Sequence, residues 1–245
     1  MGLSFTVLGC SGSYAAPGSA CTGYLVRNGA RNVLLDCGPG TLANLQQHID
    51  IAALDAVVIT HCHPDHWIEL PVLRNVWQWV VHKRGLPVYT TAETWDMAVA
   101  VSGESIGEIL TPTIVTDGSE MTIDDQRWRF SRTDHPVETL AVRVDSDDRT
   151  FAFSADTGAG WSFEAFGSGI DIALCESTYT EATHPGKVQH LSARQAGATA
   201  AAARVQRLVL THQLPGEDKA AHLDEAQRMF DRPIAVARIH ESYDV

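Results

Sequence analysis

The chain has 245 residues, 44% of them apolar, enough to fill one large α/β core or two small ones. A formal charge of −12 speaks against a protein that grips long nucleic acid through a general positive field, and leaves small anionic substrates open if bound cations focus positive potential at one place. No uninterrupted apolar run reaches bilayer length, and five cysteines without a Cys-x-x-Cys pair speak against both a disulfide framework and a thiolate zinc site.

Apolar runs bounded by turn residues predict strands at 5–8, 23–27, 32–36, 56–60 and 88–90. Further strands are predicted at 127–132, 140–144, 150–154, 170–176, 207–211 and 234–237. The opening strand has no basic segment, apolar signal core or cleavage site before it, so a cytoplasmic protein with no membrane anchor is expected. Helices are expected at 71–82, 192–204 and 218–230. In the first, Leu73, Trp77 and Val80 recur at helical spacing, Gly85 closes the segment, and Trp77, Trp79, Val80 and Val81 read as a face packed on a sheet. In the second, Ser192 is a natural N-cap to an alanine-rich body. No linker divides the chain, and residues 1–245 are expected to form a single domain.

The two halves echo each other. Leu34-Leu35-Asp36-Cys37-Gly38 precedes Val58-Ile59-Thr60-His61, and Phe153-Ser154-Ala155-Asp156-Thr157-Gly158 precedes Val209-Leu210-Thr211-His212. Each half thus has a strand ending in Asp-x-Gly, then a strand ending in Thr-His. Two facing sheets with a shared site along one edge are expected from that repetition.

The densest chemistry lies in Thr60-His61-Cys62-His63-Pro64-Asp65-His66, directly after the strand-like Ala56-Val57-Val58-Ile59. In an extended or turning backbone, His61 and His63 point the same way and can share one ion, while Asp65 and His66 project toward a second position. Borderline divalent ions accept imidazole nitrogen and carboxylate oxygen together. Cys62, between two candidate ligands, should point away and pack. Other polar residues at strand ends are His135, in Thr133-Asp134-His135-Pro136, then Asp156 and His212.

This ordered set resembles the metallo-β-lactamase superfamily of metal-dependent hydrolases, and within it the ribonuclease Z-like branch. The resemblance runs from the Gly9-Cys10-Ser11-Gly12-Ser13 loop through Asp36, His61, His63, Asp65, His66, His135 and Asp156 to His212. It implies an α/β fold, a four-layer αββα sandwich of the metallo-β-lactamase type, and two divalent metal ions. His61, His63 and His135 would hold one ion and Asp65, His66 and His212 the second, with Asp156 bridging. Two cations about 3.5–4 Å apart can share a hydroxide, bring its pKa toward neutrality and clamp the oxygens of an in-line displacement. Asp65 would orient that nucleophile or accept its proton. Asp36 would support the ligand loop, or serve as a turn aspartate before Gly38-Pro39-Gly40. Zn²⁺ is the ligand-based default, with Mn²⁺ as the alternative.

Two further residues place the branch. Leu174-Cys175-Glu176-Ser177-Thr178 looks like its Glu-Ala/Ser-Thr motif, and His190-Leu191-Ser192 like its His-x-Ser/Thr. There the histidine protonates the leaving oxygen and the glutamate orients the imidazole, an aid worth roughly 10²–10⁴ in rate. The resemblance therefore implies a phosphodiesterase acting on a small phosphodiester such as 3′,5′-cyclic AMP, with Asp65, His190 and Glu176 catalytic. A carboxylic ester, lactone or thioester hydrolase of the same fold is the alternative, and an iron-dependent oxidase or a non-catalytic binding module stands further off. About twenty residues separate His135 from Asp156, leaving no room there for a tRNA-gripping arm, and no such insertion stands elsewhere, which speaks against tRNA 3′-processing. Homodimerisation, common in this branch, would draw on the Trp77/Trp79 helix. His48, His82, His184, His222 and His240 fit no motif and are expected at the surface or behind the site.

Overall fold

The computed structural model describes residues 2–245. These divide into two compact units, one built from residues 2–115 and 239–244, the other from residues 116–238 with Val245.

The first unit opens with strands β1 (Ser4–Gly9), β2 (Gly23–Asn28) and β3 (Arg31–Leu35), then helix α1 (Thr41–Leu45) and strand β4 (Ala56–Val58). Helices α2 (Pro64–Trp67) and α3 (Leu70–Trp79), strand β5 (Leu86–Thr90), helix α4 (Ala92–Ser102) and strand β6 (Leu110–Ile114) follow. β1, β2 and β3 pair antiparallel in sequence, and β3 to β6 continue parallel. Leu8, Leu25, Leu34, Val57 and Val88 line one face and pack with Leu42 and Leu45 of α1 and Leu70, Leu73 and Trp77 of α3. Their alternating neighbours Phe5, Val7, Tyr24, Val26, Val33, Leu35 and Val58 are also buried, so both faces of the sheet are covered.

The second unit contains β7 (Glu120–Ile123), β8 (Gln126–Arg132), β9 (Leu140–Ser146), β10 (Arg149–Phe153), β11 (Ile172–Glu176), helix α5 (Ala193–Ala202), β12 (Arg207–Thr211), helix α6 (Lys219–Gln227) and β13 (Ile234–Val236). β8, β9 and β10 are antiparallel, and β10 to β13 parallel. Small residues line the helix-bearing face: Ala141, Ala152 and Ala173 sit in one cluster with Ala196 and Ala200 of α5. Gly197 lets α5 lie close to α6, since a Cβ there would fall 2.6 Å from the Ala226 carbonyl oxygen. Ser192 caps α5 and forms a reciprocal capping box with Gln195, as its sequence position predicts. The last strand, β14 (Ser242–Asp244), returns to β1 and completes the first unit's order β14-β1-β2-β3-β4-β5-β6, while the second unit's order is β13-β12-β11-β10-β9-β8-β7.

The two sheets repeat one pattern of pairing directions, which corrects half of the sequence echo. β3 corresponds to β10, so Asp36 and Asp156 do follow equivalent strands. The equivalent of β4, however, is β11, and that of β12 is β5. Thr60-His61 and Thr211-His212 therefore end non-equivalent strands.

Other expectations also change. Trp77 is buried but Trp79 and Val80 are 64% and 67% exposed, because the helix ends at Trp79 and neither residue continues its buried stripe. Trp77 accordingly has no surface to offer a partner. His222 is fully buried in α6, where its Nδ1 lies 3.0 Å from the Asp218 carbonyl, and is not a surface residue. No described helix is long and apolar enough to cross a membrane.

Candidate metal centre

The chemistry-bearing residues of each sheet gather where its parallel strands end. In the first unit the organiser is Asp36, which follows β3 with φ 59° and is fully buried. Its Oδ1 accepts the Thr60 backbone N–H at 2.8 Å, while Oδ2 accepts the Thr60 hydroxyl at 3.0 Å and His66 Nδ1 at 2.8 Å. Burial pushes the Asp36 carboxyl pKa upward, against the opposing pull of His66 and Thr60. Asp36 thus fastens the start of the 60–66 segment from behind.

These bonds determine which ring nitrogens carry protons. His66 donates Nδ1–H to an acceptor-only carboxylate, so Nε2 is its unprotonated nitrogen. The Thr60 hydroxyl already donates to Asp36, so the His61 Nδ1 3.0 Å away must donate to it, leaving Nε2 as the other unprotonated nitrogen. His61 Nε2 lies 3.2 Å from His63 Nδ1, and His66 Nε2 lies 3.8 Å from Asp65 Oδ2. The His61 and His66 rings are 4.1 Å apart between centroids. Asp65, in the first turn of α2, also accepts the Ser13 backbone N–H at 2.6 Å, which gives the Gly9–Ser13 loop its connection to the site. Gly38 makes room for this approach, since a Cβ there would fall 2.0 Å from the Asp65 carbonyl oxygen.

The second unit repeats the device with other residues. His135 donates Nδ1–H to the Gln189 carbonyl at 3.0 Å and turns Nε2 toward Asp156 Oδ2, 4.0 Å away. His212, itself at φ 60°, sets Nε2 3.4 Å from Asp156 Oδ1. Its Nδ1 lies 2.9 Å from the Thr178 hydroxyl, which in turn donates to Glu176 Oε2 at 2.8 Å. Ala155, immediately before Asp156, also has positive φ, at 51°. Non-glycine residues in that region cost about 1 kcal/mol or more each and cluster where a site dictates the backbone.

Glu176 is fully buried at the end of β11 and holds His190, with its Oε1 3.0 Å from His190 Nδ1. The same carboxylate accepts backbone N–H groups from Thr157, Thr178 and Leu191. His190 stacks on His212 with an interplanar angle of 16°. One ligand atom each from Asp156, His190 and His212 lie within 4.8 Å of one another.

The donor set fits divalent cations. His61, His66, His135 and His212 are each oriented through Nδ1 by an outer oxygen, the arrangement that fixes histidine ligands, and His66, His135 and His212 turn Nε2 toward a carboxylate. Among the described residues no metal-binding grouping includes a cysteine. Cys62 is buried, with its thiol pushed up to about 11 by burial and Glu93.

The family described as Beta-lactamase superfamily domain matches residues 31–213, a span that runs from before His61 to beyond His212. The chain belongs to the β-lactamase superfamily. An uncharacterised protein of Mycobacterium tuberculosis is 32% identical over 98% of this chain and 91% of its own length. Ribonuclease Z of Mycobacterium bovis is 31% identical over 87% of this chain and 86% of its own. The crystal structure of the metallo-β-lactamase fold protein YhfI from Bacillus subtilis matches 98% of both chains with a TM-score of 0.91 at 24% identity. This superfamily member is a metal-dependent hydrolase with the α/β fold its sequence implies.

Several residues with evident structural duties escaped the sequence reading. Thr178 connects Glu176 to His212, and Gln189 holds His135 through its carbonyl. His184 accepts the Gly186 N–H and donates to the His190 carbonyl, so it braces the loop before His190 with both nitrogens. Only the position of Thr178 within the Glu-Ser-Thr motif could have marked it out.

Proposed function

We propose that the two units act as one catalytic domain, a binuclear phosphodiesterase that hydrolyses a small phosphodiester such as 3′,5′-cyclic AMP. In this reading His61, His63 and His135 hold one cation, Asp65, His66 and His212 the other, and Asp156 bridges them. Zn²⁺ suits the imidazole-rich set, and Mn²⁺ suits its carboxylates. Cations bound there would acidify an attacking water and neutralise the phosphoryl oxygens.

The protein's own residues supply the rest. Asp65, restrained by the Ser13 amide, orients the attacking water or takes its proton. His190 delivers a proton to the departing oxygen, and Glu176 holds its Nδ1–H so that Nε2 faces the substrate.

The observation that carries the reading is the bond between His190 and the buried Glu176. An alkoxide leaving group needs a proton at the moment it departs, and a positioned acid is worth roughly 10²–10⁴ there. An activated ester or a thioester has a good leaving group and needs such a pair less.

The test follows release of 5′- and 3′-AMP from 3′,5′-cyclic AMP, beside turnover of an aryl ester, a thioester and a structured RNA. Cyclic-nucleotide hydrolysis that falls at least about 100-fold in His190→Ala supports the reading. Hydrolysis of the ester or thioester alone, unchanged in His190→Ala, transfers the protein to carbonyl chemistry. Cleavage of the RNA alone keeps the chemistry and rejects the small substrate.

A further inference from the structure

Outside the proposed ligand set, one carboxylate joins three loops of the second unit. Asp134 lies between β8 and His135. Its Oδ2 accepts the Gly160 backbone N–H at 2.9 Å, and its Oδ1 accepts the Gln189 side-chain amide at 2.8 Å. Its backbone carbonyl accepts the Gly158 N–H at 2.7 Å, and its own N–H lies 3.3 Å from the Thr157 hydroxyl. Gln189 then gives its carbonyl to His135 and is the chain neighbour of His190.

The carboxylate is half-buried, and two glycines approach it closely. A Cβ at Gly158 would fall 2.6 Å from Asp134 Oδ2, and a Cβ at Gly160 2.7 Å from it. No φ at either glycine lies in the left-handed region, so the glycines make room for the side chain and do not serve a turn.

We propose that Asp134 is a positioning residue, which fastens the loop after Asp156 and the segment before His190 to its own loop and so sets how His135, Asp156 and His190 stand to one another. The consequence for metal binding rests on the reading of His135 and Asp156 as ligands. A carboxylate suits the task because it accepts on two oxygens, and charge-assisted bonds are stronger than neutral ones. Asparagine can preserve both contacts: its Oδ1 accepts from Gly160, and its amide donates to Gln189 once that side-chain amide turns over. Alanine can preserve neither. The Gly158 bond goes to the backbone and survives either change.

The test uses the full chain with Asp134→Ala, Asp134→Asn, Gly160→Ala and the Asp134→Ala/Gly160→Ala double variant. Amide hydrogen exchange at 156–162 and 186–191 is read without added metal, and Zn²⁺ affinity by competition with a chelator. Asp134→Ala is expected to speed exchange in both segments and to weaken Zn²⁺ binding by about 10–100-fold. Asp134→Asn should stay near the wild type on both readouts. Gly160→Ala should resemble Asp134→Ala but add little in its background, because Oδ2 and Cγ, the atoms under 3.0 Å, are gone and only the Cβ 3.2 Å away remains. Unchanged exchange in Asp134→Ala, an equal loss in Asp134→Asn, or a Gly160→Ala effect that persists in the double variant would overturn the proposal. If the wild type binds no Zn²⁺ while Asp134→Ala still releases both segments, the clamp stands and the metal reading fails.

Discussion

Glu176 and His190 meet at 3.0 Å from opposite ends of a long connection, one at the end of β11 and the other just before the cap of α5. The carboxylate is fully buried, whereas the imidazole side chain keeps 18% of its exposure, so one partner anchors and the other reaches out. On the proposed mechanism, Glu176→Gln should lower kcat on alkyl phosphodiesters by about 10–100-fold with little change in KM. The same variant should lose far less on bis(p-nitrophenyl) phosphate, whose leaving group departs without a proton. Equal losses on both substrates would give Glu176 a purely structural role.

Asp36 holds Thr60 and His66, the second of which is a proposed metal ligand. Asp36→Ala should weaken metal binding by about 10–100-fold, as loss of an outer partner does elsewhere, because His66 and Thr60 lose the acceptor that sets their proton positions. Chelator competition and metal content per chain measure this directly. Full metal occupancy at wild-type affinity in that variant would contradict it.

The Thr178 hydroxyl donates to Glu176 and accepts from His212, and His190 Nδ1 lies 3.3 Å from it. Thr178→Ser keeps the hydroxyl and should retain most activity and metal affinity. Thr178→Val keeps the shape, removes both bonds and leaves buried groups unsatisfied, which costs about 1–3 kcal/mol of stability. A lowered midpoint in denaturant together with weaker metal binding is expected for Val and for neither readout in Ser.

The cysteines make a pH prediction. All five are buried and none is in a disulfide, and burial, the leading cause, pushes Cys21 up to about 12 and Cys62 to about 11. Because the folded values lie above a thiol's ordinary 9.0, the stability gained by burying neutral thiols is complete below about pH 9. It is lost as pH rises through 11 and 12. A thiol reagent at pH 8 should therefore label the native protein very slowly and the unfolded chain at five sites. Rapid labelling of Cys62 in the native protein would contradict its packing role.

Most of the strand framework was legible because its apolar runs are uninterrupted and bounded by turns. β6 was not, since Pro112 interrupts it, and the strand tolerates proline because it forms a sheet edge with β5 on one side. α4 was not, because Trp95, Met97, Ala98, Val99 and Val101 surround the helix without forming one stripe; of these only Ala98 is fully buried. The grouping of His61, His63 and His66 was legible because the three stand within six residues directly after a strand. Asp134, Gln189 and Ser13 were not, since their parts depend on backbone groups brought near by folding, and a backbone amide leaves no mark in the sequence. The repeated Asp and Thr-His signals were real at the level of residues but misleading in topology, because β4 and β12 occupy different places in the two sheets.

The central claim is that this chain hydrolyses a small phosphodiester with the aid of bound divalent ions. The most direct test is turnover of 3′,5′-cyclic AMP by protein stripped of metal and reloaded with Zn²⁺ or Mn²⁺, with Asp65→Ala as the blank. The account predicts that a nucleoside monophosphate forms only after reloading and does not form with the blank. No product with either ion, with no cleavage of bis(p-nitrophenyl) phosphate, would contradict it.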